Sequence, residues 1–336
     1  MTAPAGKPRF DLIGIGNAIV DVQAPVSEAF LARHAMQKGS MALIDAPRAE
    51  EITAALPQGV QTSGGSAANT CAVAAALGAK VAFLGRVAAD ALGVAFRSDI
   101  TAAGVHYPTP PLATGAPTAR CLIAVTPDGQ RTMNTFLGAC AAFGPDAVDE
   151  GLVADSAVTY LEGYLFDPPA AQEAFRKAAA AAHAAGRKVA LSLSDSFCVD
   201  RHFAEFRELV AGHVDILFAN EAEICALARR ERIEDAAAAV QDDVELAVLT
   251  RGEAGSLVLG RGERHAIAAE PASVVDTTGA GDAYAAGFLA AYAAGRPLEA
   301  CARLGGLAAA EVISHFGARP QRDLSGALAA LPARES

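Results

Sequence analysis

The chain predicts an α/β fold in which helices cover both faces of a mainly parallel sheet, with a small second sheet set over it as a lid. Two observations carry the prediction. Short apolar runs recur at Phe10–Gly16, Val81–Gly85, Ala157–Leu161, Val189–Leu193, Val214–Phe218 and Leu246–Thr250, and amphipathic or Ala-rich stretches of 10 to 17 residues lie between them. Strands buried on both faces read as continuous apolar runs, and their alternation with helices marks βαβ units. Two regions break that rhythm. Residues 17–23 and 38–45 are short and β-like, and residues 118–137 alternate polar and apolar side chains about Pro127-Asp128-Gly129, a hairpin signal. Without linkers, repeats or charge blocks, residues 1–336 read as one domain whose lid is inserted in two pieces, about 17–45 and 106–137. The last dozen residues read as a terminal helix and a loose tail.

Composition narrows the function. The chain is 52% hydrophobic and 19% charged, enough to bury a large core, and its net charge is −11. With no basic block to neutralise phosphates, a nucleic-acid partner is excluded. An acidic enzyme handling a nucleotide must bring a divalent cation or a few well-placed cationic groups. Cys71, Cys121, Cys140, Cys198, Cys225 and Cys301 form no C-x-x-C pair and read as small buried residues rather than disulfides or zinc ligands. Met1–Lys7 has no apolar h-region and no uninterrupted apolar run reaches 18 residues, so a cytoplasmic protein without a membrane partner is expected.

Taken in order, the first strand runs into Gly14-Ile15-Gly16-Asn17, which lacks the third glycine of a dinucleotide fingerprint, so an NAD-dependent dehydrogenase is rejected. Asp21 follows, a carboxylate able to accept two hydrogen bonds from a vicinal diol or, alternatively, to cap a turn. Gly64-Gly65-Ser66-Ala67-Ala68-Asn69-Thr70 opens a helix. Arg131 sits just past the hairpin turn, either as a cationic clamp on a moving phosphate or as a solvated strand residue. Asn220 and Glu223 lie three apart on the first turn of a helix, a spacing that also suits an N-cap. Asn220, Thr250 and the turn Asp276-Thr277-Thr278-Gly279-Ala280-Gly281-Asp282 each follow an apolar run, which places them along one rim, where ligands of parallel sheets collect. The last of these turns carries the most chemistry. Its glycines let free backbone N–H groups at a helix start approach a bulky anion, and Asp282 lies beside that cradle. A cradle for moving charge next to a fixed carboxylate suits phosphoryl transfer to a hydroxyl.

Several motifs then resemble, in family order over residues 10 to 320, the ribokinase-like (PfkB) carbohydrate and nucleoside kinases. The 276–282 turn is similar to their second signature. Gly64–Thr70, with Leu77-Gly78-Ala79 and Leu84–Asp90 beyond it, is similar to the first. Asn220-Glu221-Ala222-Glu223 resembles N-x-x-E, and Thr250-Arg251-Gly252-Glu253-Ala254-Gly255 resembles T-x-G-x-x-G. The resemblance implies a ribokinase-like three-layer sandwich with a β-lid, ATP as donor, and a cation-assisted kinase with no P-loop. It assigns Asp282 as base and Gly279, Ala280 and Gly281 as the anion hole, with Arg131 closing on it. It implies that Asn17, Asp21, Gly65 and Asn69 clamp the acceptor. Asn220 and Glu223 would organise Mg²⁺ through water. Thr250, Gly252, Gly255, Thr277, Leu304, Ala308 and Val312 would border ATP. Asp276 and Thr278, with the Ser314–Ala318 loop, occupy the place of a monovalent cation such as K⁺ in relatives.

Within the family, Gly16–Asp21, Leu191–Phe197 and Val214–Glu221 resemble the adenosine kinase branch. Matching its base-lining positions gives Met41, Leu43, Met133, Leu137, Tyr164, Leu165 and Phe197, an apolar and aromatic set that suits a purine better than a free hexose. Adenosine is therefore the expected acceptor. The alternatives are guanosine or inosine, a sugar such as ribose, fructose or a keto-deoxy sugar acid, and a nucleoside sensor without turnover. Met41 stands where some relatives carry glutamine, and Phe166-Asp167-Pro168-Pro169 departs from the branch. A monomer is weakly favoured over lid-paired dimers.

Overall fold

The computed structural model describes residues 6–260 and 262–332. Fourteen strands fall into two sheets. In chain order they are β1 (Phe10–Ile15), β2 (Ile19–Pro25), β3 (Met41–Leu43), β4 (Val60–Gly64), β5 (Val81–Leu84), β6 (Val105–His106), β7 (Ala119–Val125), β8 (Arg131–Phe136), β9 (Ser156–Glu162), β10 (Lys188–Ser192), β11 (Ile216–Asn220), β12 (Leu246–Thr250), β13 (Ser256–Gly260) and β14 (Glu263–Ile267). The large sheet has the order β14-β13-β12-β11-β10-β9-β1-β5-β6 and is parallel from β12 to β6. At one edge β13 runs against the others and pairs antiparallel with both β12 and β14. The small sheet has the order β3-β8-β7-β2-β4. It takes in Val60–Gly64, so the first piece of the small sheet continues past residue 45, through the helix Ala46–Ala55, to the start of the helix Ser66–Ala76.

Each apolar run becomes a strand because it buries both faces. One face packs under the helices Ser66–Ala76, Ala280–Ala293 and Leu298–Val312, and the other under Pro169–Ala184 and Phe203–His213. In Pro169–Ala184 the buried residues Ala171, Ala174, Phe175, Ala178, Ala179 and Ala182 recur at helical spacing. Ala280–Ala293 is enclosed along most of its length, with every residue from Ala283 to Ala291 buried. Its small side chains permit this: a Cβ on Gly287 would lie 2.5 Å from the Leu304 carbonyl of the neighbouring helix.

No helix among the described residues is long and apolar enough to cross a membrane. The expected terminal helix is not formed: the last helix ends at Val312, and residues 325–330 are turns. Met1–Ala5 and residues 333–336 lie outside the described residues.

Candidate active site

A cavity of about 910 Å³ opens between the carboxyl ends of the parallel strands and the small sheet. Asp282 lies on its wall, in the first turn of Ala280–Ala293, with Oδ1 accepting from the Ser66 hydroxyl at 2.6 Å and Oδ2 from Asn69 Nδ2 at 3.4 Å. Burial pushes its carboxyl up to about 6, against the pull of these two hydrogen bonds. The helix carries no side-chain cap, and its N-cap Gly279 sits at φ 78°, where a Cβ would meet Ala318 at 2.6 Å. Among the described residues the amides of Gly281 and Asp282 have no protein acceptor, whereas those of Ala280 and Ala283 bond to Thr277 and Gly279 carbonyls. Thr277, Thr278, Gly279, Ala280 and Gly281 all line the cavity. The turn therefore presents unpaired donors at the positive end of a helix, which fits a phosphate.

Across the cavity, Asp21 projects from β2, which continues almost directly from β1. Two glycines explain how it fits. A Cβ on Gly64, which lies diagonally across from it on β4 opposite Ile19, would stand 2.4 to 2.7 Å from the Asp21 carboxyl atoms. Gly65 adopts φ 98°, and a Cβ there would strike the Asn17 carbonyl at 2.0 Å. Burial raises the Asp21 carboxyl to about 6, with Arg131 and then Arg319 opposing and Asp282 adding to the rise. Arg319 is anchored beside it, bonded to Asp99 at 2.9 Å and to the Ser63 carbonyl and hydroxyl.

Asn17, Met41, Leu43, Met133, Leu137, Tyr164 and Phe197 line the same cavity, and Phe197 is 77% exposed at its mouth. Leu165 does not. It points into the core beneath the sheet, because the short 3-10 turn Gly163–Phe166 sends adjacent side chains in opposite directions. Beside Tyr164, a polar wall of Ser192, Ser194 and Asp195 meets Asp167, which Arg201 holds through two bonds of 3.0 and 3.1 Å.

Three other expectations change in the folded chain. Leu304, Ala308 and Val312 are buried in the helix core, because the apolar stripe of Leu298–Val312 packs chiefly against the helix Ala280–Ala293; Leu307 is the exposed large residue of that helix. Thr250 and Gly252 reach the cavity, but Gly255 does not line it. Gly255 shapes the β12–β13 turn at φ 83°, where a Cβ would strike the Ile267 carbonyl. Arg131 is neither solvated nor free: it pairs with Asp276, both side chains less than a tenth exposed. Asp276 also accepts from the Thr278 amide and hydroxyl at 3.0 and 2.7 Å and from the Gly317 amide at 3.3 Å. Its carboxyl is held below the usual range: burial works the other way, and the Thr278 bonds and the Arg131 charge outweigh it.

Asn220 and Glu223 form a reciprocal capping box: Asn220 Nδ2 and N–H donate to Glu223 at 2.6 and 2.9 Å, and Glu223 N–H donates to Asn220 Oδ1 at 2.9 Å. Both line the cavity, and burial raises the Glu223 carboxyl to about 7. Among the described residues no group of three His, Cys, Asp or Glu could hold a metal ion. The capping box holds Asn220 and Glu223 to each other, an arrangement that suits contact with Mg²⁺ through its waters. Residues not singled out from the sequence include Ser66, Arg319 and Glu162. The sequence signal for Glu162 is a charged residue ending an apolar run on the same rim.

A parallel α/β body, a second small sheet over its rim and a helix start with unpaired amides beside a half-buried carboxylate together suit a small-molecule kinase. Comparison with known proteins agrees. Residues 35–323 match the model of the pfkB family carbohydrate kinases, and the chain belongs to that family. It is similar to the solved structure of adenosine kinase from Sinorhizobium meliloti, at 50% identity and TM-score 0.88 over 96% of this chain and 99% of that one. A probable sugar kinase from Rhizobium etli is 48% identical, with TM-score 0.88 over 96% and 98%. Adenosine kinase of Saccharomyces cerevisiae is 27% identical over 94% of this chain and 96% of its own length.

Proposed function

We propose that this chain transfers the γ-phosphoryl group of ATP to the 5′ hydroxyl of adenosine, giving ADP and AMP. The observation that carries the reading is a half-buried carboxylate, Asp282, in one cavity with unpaired amides at a helix start and a second carboxylate, Asp21. Asp282 takes the proton from the primary hydroxyl as that oxygen attacks the γ-phosphorus. A group ionising near pH 6 is charged at neutral pH yet basic enough to accept it. The Gly281 and Asp282 amides stabilise charge on the transferred phosphoryl, helped by Gly279 and Ala280 shaping the turn. Asp21 accepts the ribose diol, with Asn17, Gly65 and Asn69 completing the clamp. Met41, Leu43, Met133, Leu137, Tyr164 and Phe197 bury the base.

ATP would lie along Thr250, Gly252 and Thr277. Mg²⁺ would arrive with it, neutralising phosphate charge, and meet Asn220 and Glu223 only through its waters. Incoming phosphate competes with Asp276 for Arg131. Any K⁺ would be left the backbone oxygens of Asp276 and Thr278. We expect a cytoplasmic monomer, with the lid formed by 17–64 and 106–137.

The second reading is a sugar acceptor, favoured by the polar wall of Ser192, Ser194 and Asp195 and by the Asp167–Arg201 pair. An ADP-release assay with Mg-ATP across adenosine, guanosine, inosine, ribose and fructose separates the two. Adenosine should give the highest kcat/KM. Preference for ribose or fructose would overturn the acceptor assignment, and no ADP release with any acceptor would overturn the kinase reading.

A further inference from the structure

We infer that Glu162 is a positioning residue that holds the acceptor clamp together through Asn17 and the start of the Ser66–Ala76 helix. This rests on the reading of the cavity as an acceptor site. Glu162 ends β9, is 1% exposed, and sits between Asn17, in the β1–β2 connection, and the start of the Ser66–Ala76 helix. Oε1 accepts from the Asn17 amide side chain at 2.6 Å and from its backbone N–H at 3.3 Å. Oε2 accepts from the Ala67 N–H at 2.7 Å.

Each contact answers a need created elsewhere. The helix begins after Gly65, which has no side chain to cap it, so one of its orphan N–H groups is satisfied by a carboxylate 95 residues away. The carboxylate has room because residue 16 is glycine: a Cβ there would stand 2.2 Å from Oε2. With one Nδ2 hydrogen committed to Glu162, the orientation of the Asn17 amide is fixed, leaving its carbonyl oxygen as an acceptor for a substrate hydroxyl. Glu162 therefore sets which way the Asn17 amide faces and how Gly65 and Ser66 sit beside it.

All three partners of Glu162 are N–H donors. An ionised carboxylate satisfies them together, whereas a carboxamide must aim its own NH₂ at one of them. The titratable groups around it are Asp282 on the 280–293 helix, Cys71 on the 66–76 helix, Cys140 on the 138–142 turn, and Tyr160 and Tyr164 on or after β9. No cation is among them. Burial lifts the Glu162 carboxyl to about 7, the bonds from Ala67 and Asn17 resist, and Asp282 adds a smaller upward push. The clamp then loosens as pH falls through 7, above the pH at which Asp282 is protonated.

The test compares wild type, Glu162→Gln, Asn17→Asp and the exchange Glu162→Gln/Asn17→Asp. Glu162→Gln should raise KM for the acceptor 10-fold or more and KM for ATP less than 2-fold. The limb near pH 7 in acceptor kcat/KM, which Glu223 shares, should become shallower by the loss of Glu162 and the limb near 6 remain. Asn17→Asp, which faces two carboxylates to each other, should do worse. The exchange restores one donor and one acceptor, and should recover at least part of the acceptor KM and of the melting temperature. An unchanged acceptor KM in Glu162→Gln, equal rises for acceptor and ATP, or no recovery in the exchange would each overturn the inference. Melting temperatures need no acceptor, so the pairing is tested even if wild type releases no ADP, an outcome that would instead count against the kinase reading.

Discussion

Replacing Asp282 with Asn should remove activity and, at pH 8, stabilise the protein. In the fold this carboxyl ionises near 6 rather than at its ordinary 3.8, because burial disfavours its charge more than Ser66 and Asn69 favour it. A shift of about two units corresponds to about 3 kcal/mol of strain on the folded state when the group is charged. That figure is a ceiling, since cavity water reaches one side of the carboxylate. The sign follows from proton linkage. A raised folded pKa means the native state binds protons more tightly, so the associated stability is present below 3.8 and lost as pH rises through about 6. Asn, neutral throughout, escapes the penalty and still accepts from the Ser66 hydroxyl. For a chain of 336 residues, 1 to 3 kcal/mol is a melting shift of about 1–4 °C. Thermal unfolding of both proteins at pH 8 and pH 4.5, beside single-turnover kinetics with Mg-ATP, reads both effects. The expected result is a higher melting temperature for the variant at pH 8, a smaller gain at 4.5, and turnover lower by about 100-fold or more. No gain at pH 8, or the same gain at both values, refutes the buried-charge argument. Near-normal turnover refutes the base assignment.

Further outcomes can be checked with the same assays. Asp21→Ala should raise KM for the nucleoside at least about 10-fold, the scale of a lost hydrogen bond to a charged group, while KM for ATP moves little. Gly64→Ala should imitate it, because the new methyl needs the space of the Asp21 carboxylate; an unaltered nucleoside KM would show that the carboxylate is placed elsewhere. Arg131→Met strips the counter-charge from buried Asp276 and should cost up to about 3 kcal/mol in thermal unfolding, largely recovered by adding Asp276→Asn; without that recovery the pair is not what couples lid strand β8 to the anion turn. In wild type, kcat should fall as pH drops through about 6, since Asp282 must be ionised to accept a proton.

Much of the architecture was legible because its causes are local. The run Leu246–Thr250 needs no partner to read as a buried strand, and Gly279 before Ala280 marks a helix start whatever packs around it. The lid hairpin about Pro127–Gly129 was visible for the same reason. The misplaced residues are those whose orientation depends on what lies across from them. Leu304, Ala308 and Val312 are apolar whether they face adenine or the neighbouring helix. Leu165 and Tyr164 are adjacent, and only the turn that follows β9 decides which of them meets the cavity. Val60–Gly64 escaped notice as a lid strand because its burial pattern is weak and its identity comes from pairing with β2.

By itself the sequence determined the alternating body and the glycine-flanked turn into the helix that carries Asp282, since periodicity and backbone freedom are properties of neighbouring residues. Only the tertiary structure decided that Glu162 caps a helix 95 residues away, that Arg131 is held by Asp276, and that Gly64 is vacant for Asp21. Charges, hydrogen-bond donors and missing methyl groups act over a few ångströms, and which of them come that close is set by how the two sheets meet.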